Sequence, residues 1–205
     1  MSALKLYEKY VSKYGERLKL FELLAHYFEI KSALYPGSAL HVTPSFFFPL
    51  TVYIDTYSKA KIFFKKNIID DVISARKIYL EKPIVRFYPT DFRKETNERE
   101  NSFDLLISLY AGFVSKYCKR YLKIGGILIV NNSHGDASMA SIDADYEFIG
   151  TIHLRNRKYY FSQKNLDQYF IPKKEVIVTE EYLEKIQHGI GYKKSASIYL
   201  FKRTN

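Results

Sequence analysis

Apolar residues recur at three- and four-residue spacing from residue 4 to residue 29. Tyr7, Tyr10, Val11, Tyr14, Leu18, Phe21, Ala25 and Phe28 form one stripe, the mark of an amphipathic helix. Gly15 offers a break into two helices. The pattern then shortens. Residues 33–35 are a brief apolar run closed by a Pro36-Gly37 turn. Thr43-Pro44 predicts a helix start, with Thr as N-cap and Pro at the first helical position. Residues 51–54 are rich in β-favouring side chains and lead into Asp55. Residues 70–80 predict a helix with acids in its first turn, the favourable dipole sign. Residues 84–88 form a third strand, followed by Pro89-Thr90-Asp91-Phe92. A charged connection, 93–101, leads to a fourth strand at 103–108. A helix at 113–122 follows, with Gly125-Gly126 as its stop. Residues 127–130, apolar throughout, read as a central fifth strand. Two further strands are expected at 146–154 and 195–202, with a helix at 179–187 between them.

Strands alternating with helices predict an α/β fold with a mostly parallel sheet. Seven strands are expected, flanked by helices, the last strand antiparallel. A chain of 205 residues suits one domain over 1–205. It divides into a helical segment at 1–31, a core at 32–154, an insertion at 155–194 and the last strand at 195–205. So long an insertion is commonly functional.

Composition narrows the partners. Nineteen tyrosines and 15 phenylalanines, with no tryptophan, put many phenols at the core edge. The single cysteine, Cys118, rules out an internal disulfide and lies at an apolar helical position. No apolar run of about 18 residues exists and the N-terminus lacks an apolar signal core, so no membrane span and a cytoplasmic location are expected. The five histidines, at 26, 41, 134, 153 and 188, have no metal-ligand spacing, so no metal is expected. No phosphate-binding P-loop is present. The net charge is +10, and from Arg155 onward 11 Lys/Arg face 5 Asp/Glu, a local excess of +6. Such a basic quarter is compatible with nucleic acid and equally with a solvated lysine-rich surface. Tyr159, Tyr160, Phe161, Tyr169 and Phe170 are interleaved with its Arg and Lys residues. They suit either base stacking or a hairpin with inward-packed rings.

A carboxylate delivered to the end of a strand, as Asp55 is, points to a nucleoside-containing ligand in an open α/β sheet. Five features stand in fixed order: LYPG after the first strand, Asp55 after the second, Thr90-Asp91-Phe92 after the third, FDLLISLYAG at the fourth and LKIGGILIV into the fifth. Together they resemble the class I, Rossmann-like S-adenosylmethionine-dependent methyltransferases, over roughly residues 33–152 by the strand pattern. The resemblance implies S-adenosylmethionine as cofactor. The loop from Tyr35 and Pro36 through Gly37 and Ser38 would hold its amino-acid end. Asp55, with Thr56 beside it, would accept from the ribose hydroxyls. Asp91 would meet the adenine amino group, with Phe92 against the ring. Ser108, Leu109 and Tyr110 would border the adenosine and the substrate entrance. The first loop departs from the family in carrying Gly37 alone, followed by Ser38, Ala39 and Leu40. Ile124 replaces the proline common before the glycine pair. The same loop lacks the G-x-G-x-x-G that a dinucleotide pyrophosphate requires.

Methyl transfer needs alignment and sometimes a base. The candidates follow the fifth strand: Asn131, His134 as base, and Asp136 nearby. The same residues also make a polar turn. The expected function is methyl transfer to an unspecified acceptor. The alternative is a non-catalytic module of the same fold that binds, for instance, nucleic acid.

Overall fold

Gly15 does divide the N-terminal stripe. The computed structural model, which describes residues 3–65 and 68–205, has helix α1 at Ala3–Tyr14 and α2 at Leu18–Tyr27. Gly15 has φ +75° and Arg17 φ +54°, so the chain turns through left-handed backbone between the helices. The turn resets the helical phase. Leu6 and Tyr7 are buried in α1 and Leu20, Phe21 and Leu24 in α2, whereas Tyr14 and Leu18 of the expected stripe are exposed.

The described chain groups into two compact units, Met1–Asn97 and Glu98–Asn205. In the first, strands β1 (Ser32–Pro36), β2 (Leu50–Ile54) and β3 (Ile84–Tyr88) pair in parallel in the order β3-β2-β1. Each residue of β1 is buried, as a strand covered on both faces requires. Helices α3 (Ser58–Phe63) and α4 (Ile68–Arg76) follow β2. Phe64, just beyond α3, stacks on Phe87 of β3 at 4.4 Å between ring centroids and tilts against Tyr53 of β2. Two expectations change here. Thr43 is not a cap: the short 3-10 turn Thr43–Phe46 has Val42 at its N-cap and no side-chain cap bond, although Pro44 does sit in its first turn. The helix expected at 70–80 ends at Arg76, because Ile78 N donates to Phe46 O at 2.9 Å and takes the chain off the helical path. Arg76 closes a forked pair on Glu16, with Nη2 to Oε2 at 2.7 Å, and Tyr7 donates to the same carboxylate at 2.7 Å.

The second unit holds β4 (Phe103–Ser108), α5 (Val114–Tyr117), β5 (Leu122–Val130), α6 (Asp136–Ile142), β6 (Tyr146–Arg155), β7 (Lys158–Ser162), α7 (Glu180–Ile186) and β8 (Ile198–Arg203). Its strand order is β4-β5-β8-β6-β7. β4 and β5 are parallel, and the remaining pairs are antiparallel. The fold is α/β and Rossmann-like, with helices against parallel strands and an antiparallel end. Among the described residues eight strands are present where seven were expected, because β7 lies within the segment read as an insertion. Gly125-Gly126 is not a helix stop but part of β5. Phe103 pairs with Leu122 and Leu105 with Ile127, so Asp104 opposes the stretch 123–126. Such a bulge needs left-handed backbone, and Gly125 supplies it at φ +83°. Lys123 Nζ bonds Asp104 Oδ1 across the irregularity at 2.5 Å. The helix α6, starting inside the expected polar loop, was also not foreseen. Cys118 is fully buried, as expected.

His41 is a buried titratable group in the first unit. Its Nδ1 faces Tyr35 Oη at 3.1 Å and its Nε2 faces Glu16 O at 2.7 Å. A carbonyl only accepts, so the neutral ring carries its proton on Nε2 and accepts from Tyr35 at Nδ1. Burial pushes its pKa from 6.5 down to about 4, and Arg17 adds to the effect. Between those values the unfolded chain binds a proton that the folded chain refuses, so stability rises with pH across the window. Urea unfolding should therefore show a loss on the order of 3 kcal/mol from this site as pH falls from about 7 to about 4. His41→Gln should flatten that part of the slope. An unchanged slope in the variant would remove His41 as its source.

Candidate functional site

Parallel strands end together, and the loops that leave them carry backbone N–H groups with no ladder partner. In the first unit Asp55, half-buried just past β2, collects two of them. Ala39 N donates to Oδ2 and Tyr57 N to Oδ1, each at 2.7 Å. Each oxygen still has a lone pair for another donor. Asp55 N itself donates to Tyr88 O of β3 at 3.1 Å. The loop after β1 is built tightly. Gly37, at φ +69°, donates to Ile54 O at 2.8 Å, and His41 N closes a turn on Ser38 O at 2.9 Å. Ala39 takes left-handed backbone at φ +49°.

The loop residues have different fates. Tyr35 is 2% exposed, with its ring against Tyr53 and His41, and Pro36 is buried beside it. The side chain of Tyr35 thus belongs to the core. Ser38 is 1% exposed, and its hydroxyl has no hydrogen-bond partner among the described residues. A buried hydroxyl without a partner is costly, which makes Ser38 a natural contact for a ligand. Thr56 is exposed beside Asp55. At the end of β3, Asp91 and Phe92 are both half-buried. Arg93 Nε lies 3.0 Å from both oxygens of Asp91, and Arg93 N is 2.9 Å from Oδ1. These bonds hold the Asp91 carboxyl below its usual range. Sequence reading did not anticipate that partner, although a basic residue two positions on was visible.

The second unit has its own carboxylate at a strand edge. Asp136 is 2% exposed at the start of α6. It accepts from Ser108 Oγ at the end of β4, and from Ser115 Oγ and Ser115 N, the last at 3.1 Å to Oδ1. Burial nevertheless raises its pKa to about 6, against those bonds. Its partners are the two serines rather than His134. His134 is exposed, with Nδ1 2.9 Å from Ser133 Oγ and no described partner at Nε2. Asn131, 7% exposed, accepts from Ser133 Oγ at 2.9 Å and from Tyr110 N at 3.3 Å. Leu109 is buried, and Tyr110 is 61% exposed at φ +65°. The structure thus joins Ser108 with Asp136, and Asn131 with Tyr110 and Ser133.

The long segment before β8 docks on this loop, a contact no motif announced. Asn132 Nδ2 donates to Ile190 O at 3.1 Å, while Asn132 Oδ1 accepts from Ser138 N at 3.2 Å. Tyr192 donates to Ser138 Oγ at 2.7 Å. Leu183 of α7 joins Phe113 and Met139 in a small apolar cluster. Lys116 of α5 pairs with Glu180 and Glu184 of α7. Of the aromatic residues of the basic quarter Tyr169 is buried and Tyr159, Phe161 and Phe170 are half-buried. Tyr169 and Phe170 pack on Phe148 and Tyr199, while Tyr160 is 50% exposed. No group of acids, histidines and cysteine among the described residues has metal-binding geometry, and no described helix is long and apolar enough to cross a membrane.

No family model and no curated protein matches the sequence. Solved structures match its fold. A Klebsiella pneumoniae protein, described provisionally as an O-methyltransferase, aligns with TM-score 0.50 at 12% identity, over 71% of this chain and 76% of its own. A methyltransferase from Geobacter sulfurreducens aligns at 0.49 and 14%, over 78% and 87%. TomG from Streptomyces achromogenes, an O-methyltransferase of tomaymycin synthesis solved with S-adenosylmethionine, aligns at 0.49 and 12%, over 78% and 87%. The likeness to the Klebsiella protein is one of fold: this chain has the Rossmann-like architecture of class I methyltransferases.

Gly189 tests the docking of the long segment. A Cβ there would lie 1.9 Å from Asn132 O, whereas one at Gly191 would meet only Lys173 Cδ at 3.9 Å. Gly189→Ala should cost about 1–3 kcal/mol by forcing the backbones apart. Gly191→Ala should stay within about 0.5 kcal/mol of the parent. Chemical denaturation of both variants decides it, and equal stabilities would contradict the close approach.

Proposed function

We propose that the chain transfers a methyl group from S-adenosylmethionine to an acceptor. The observation that carries the reading is Asp55: a half-buried carboxylate at the C-terminal end of β2 with a lone pair left on each oxygen. Two adjacent ribose hydroxyls are the donors such a pair accepts. The unpartnered Ser38 hydroxyl in the loop after β1 fits the polar amino-acid end of the same ligand. The residues present therefore suit the cofactor at its ribose and amino-acid ends.

On this reading the backbone from Tyr35 to Ser38, with Pro36 and Gly37 between, cradles the amino-acid end. Asp55, with Thr56 beside it, fixes the ribose. Asp91 accepts from the adenine amino group, sharing its carboxylate with Arg93, and Phe92 lies against the ring. The pair is open to solvent on the Arg93 side, where an ion pair contributes little and exchanges readily. When bound, the cofactor supplies a sulfonium-activated methyl group. His134 is the candidate base of the second unit: Ser133 steadies Nδ1, and Nε2 is available to take a proton. Asp136 acts as a positioning residue through Ser108 and Ser115, and Asn131 holds the loop beside His134. The basic last quarter favours an anionic acceptor, nucleic acid among them. A cytoplasmic place for the chain rests on its lone, buried cysteine. The hold of Arg93 on Asp91 favours a second reading, a binding module that keeps the fold without the catalysis.

S-adenosylhomocysteine should raise the melting temperature, because a ligand that binds only the folded chain stabilises it. Asp55→Asn, which retains one acceptor oxygen for the loop, should lose most of that shift. No shift for the parent at millimolar ligand would sink the cofactor reading and leave the binding module. At the adenine end, Asp91→Asn should weaken binding of the same ligand by about 1–3 kcal/mol. Calorimetry showing tighter binding would mean that Asp91 serves only its own turn.

A further inference from the structure

The tip of the β6–β7 hairpin and the chain entering β8 enclose a cleft of about 640 Å³ within the second unit. That is the size range of small-ligand sites. Its lining includes Arg155, Lys164, Lys194, His153, Tyr160 and Tyr169, and no carboxylate. Three permanent cations so placed, without an acid between them, make a strongly anion-attracting hollow. Neither Arg155 nor Lys164 has a side-chain partner among the described residues. Lys194 is held in place by Asn165 O at 3.3 Å and Gln168 Oε1 at 3.2 Å, with its ammonium 4.4 Å from the Tyr169 ring centroid. His153 is bound through Nε2 to Tyr169 Oη at 3.0 Å. The Tyr160 ring remains: it is half-exposed and lines the same cleft as the cations.

We propose that this cleft binds a small phosphorylated ligand carrying a ring, of the size of a nucleoside monophosphate. A phosphate monoester carries close to two negative charges at neutral pH, which a single cation does not balance and three cations lining one cleft do. The planar Arg155 fork suits two phosphate oxygens at once, and Lys164 and Lys194 act as point charges. Tyr160 offers the face on which a base stacks. His153 is already kept neutral by burial and by Arg155 and Lys194, so it enters the site as a hydrogen-bonding ring rather than a fourth cation. Tyr169, being packed on Phe148 and Tyr199, forms a rigid wall. The site asks nothing of Asp55 or Ser38 and stands apart from the methyl-transfer reading.

Calorimetry on the full chain at low salt tests it, with uridine monophosphate as the probe, since uracil avoids a site shaped for adenosine. A dissociation constant below about 1 mM is expected. It should weaken steeply with added salt. Uridine and inorganic phosphate should each bind at least about tenfold more weakly, since each lacks one half of the recognition. Arg155→Gln and Lys164→Gln, both at exposed positions, should weaken the nucleotide about five- to tenfold while melting as the parent does. The S-adenosylhomocysteine shift should survive in both, so that failure here and failure of the cofactor reading are told apart. No heat with the nucleotide up to about 10 mM, or affinity untouched by either variant, overturns the proposal. So does inorganic phosphate binding as tightly as the nucleotide. A single-stranded oligonucleotide that binds where the mononucleotide does not, with Lys173→Gln and Lys174→Gln as damaging as Arg155→Gln, also overturns it, in favour of an extended nucleic-acid surface.

Discussion

Both units answer one constraint with one device. Where parallel strands stop, the loops that continue them crowd at a common edge with amide donors left over. A carboxylate gathers those donors. Asp55 takes two backbone N–H groups, from Ala39 and Tyr57. Asp136 takes one backbone N–H and two serine hydroxyls, tying the end of β4 to the starts of α5 and α6. Hydrogen bonds to a charged acceptor are worth about 1.5–3 kcal/mol each, enough to hold such a loop in place. Burial then separates the two acids. Asp136 is sealed in, and its proton affinity rises to a pKa of about 6. Asp55 stays at the boundary with water, and only there does a carboxylate serve a loop and a ligand together.

The loop after β1 shows why a count of glycines misleads. By composition it is poor, with Gly37 alone. By conformation it is not, because Ala39 adopts the left-handed backbone that a glycine would take freely. For an L-residue that region costs roughly 1–2 kcal/mol. The bond from Ala39 N to Asp55, made by the same amide, offsets it. The acid expected to bind ribose is therefore also what permits the loop to do without a second glycine. Loss of Asp55 acts on the loop as well as on the ligand, and Asp55→Asn separates the two better than a truncation does.

The parallel strands were legible because their signal is local. β3 and β4 lie at the residues their apolar runs mark, and the helix expected at 179–187 is α7, at Glu180–Ile186, with Thr179 outside it as a cap that accepts from Tyr182 N. Asp55 was legible as a residue at a strand end, but its two donors were not, since one of them lies 16 residues away. Gly125-Gly126 was misread because a glycine pair after an apolar run marks a helix end and a strand bulge equally well; only the pairing with β4 decides. β7 was absorbed into the insertion because it is five residues long and its three rings are half-buried or exposed, with no buried apolar face to mark it. The contact between Gly189 and Asn132 had no signal at all: it depends on a tertiary approach of two polar turns.

The hairpin that places those charges also leaves β7 with one neighbour, β6, and therefore with a free edge. A free edge is a template on which another chain can add a strand. Lys158 opens this one, Arg155 and Arg157 stand at its turn and Lys164 follows its end. A second copy approaching in register would bring like charges together along the pairing line and have to desolvate them. The basic character of the tip thus opposes pairing of two copies through this edge, and a variant neutralised there to probe binding is also the variant to watch for fibrils.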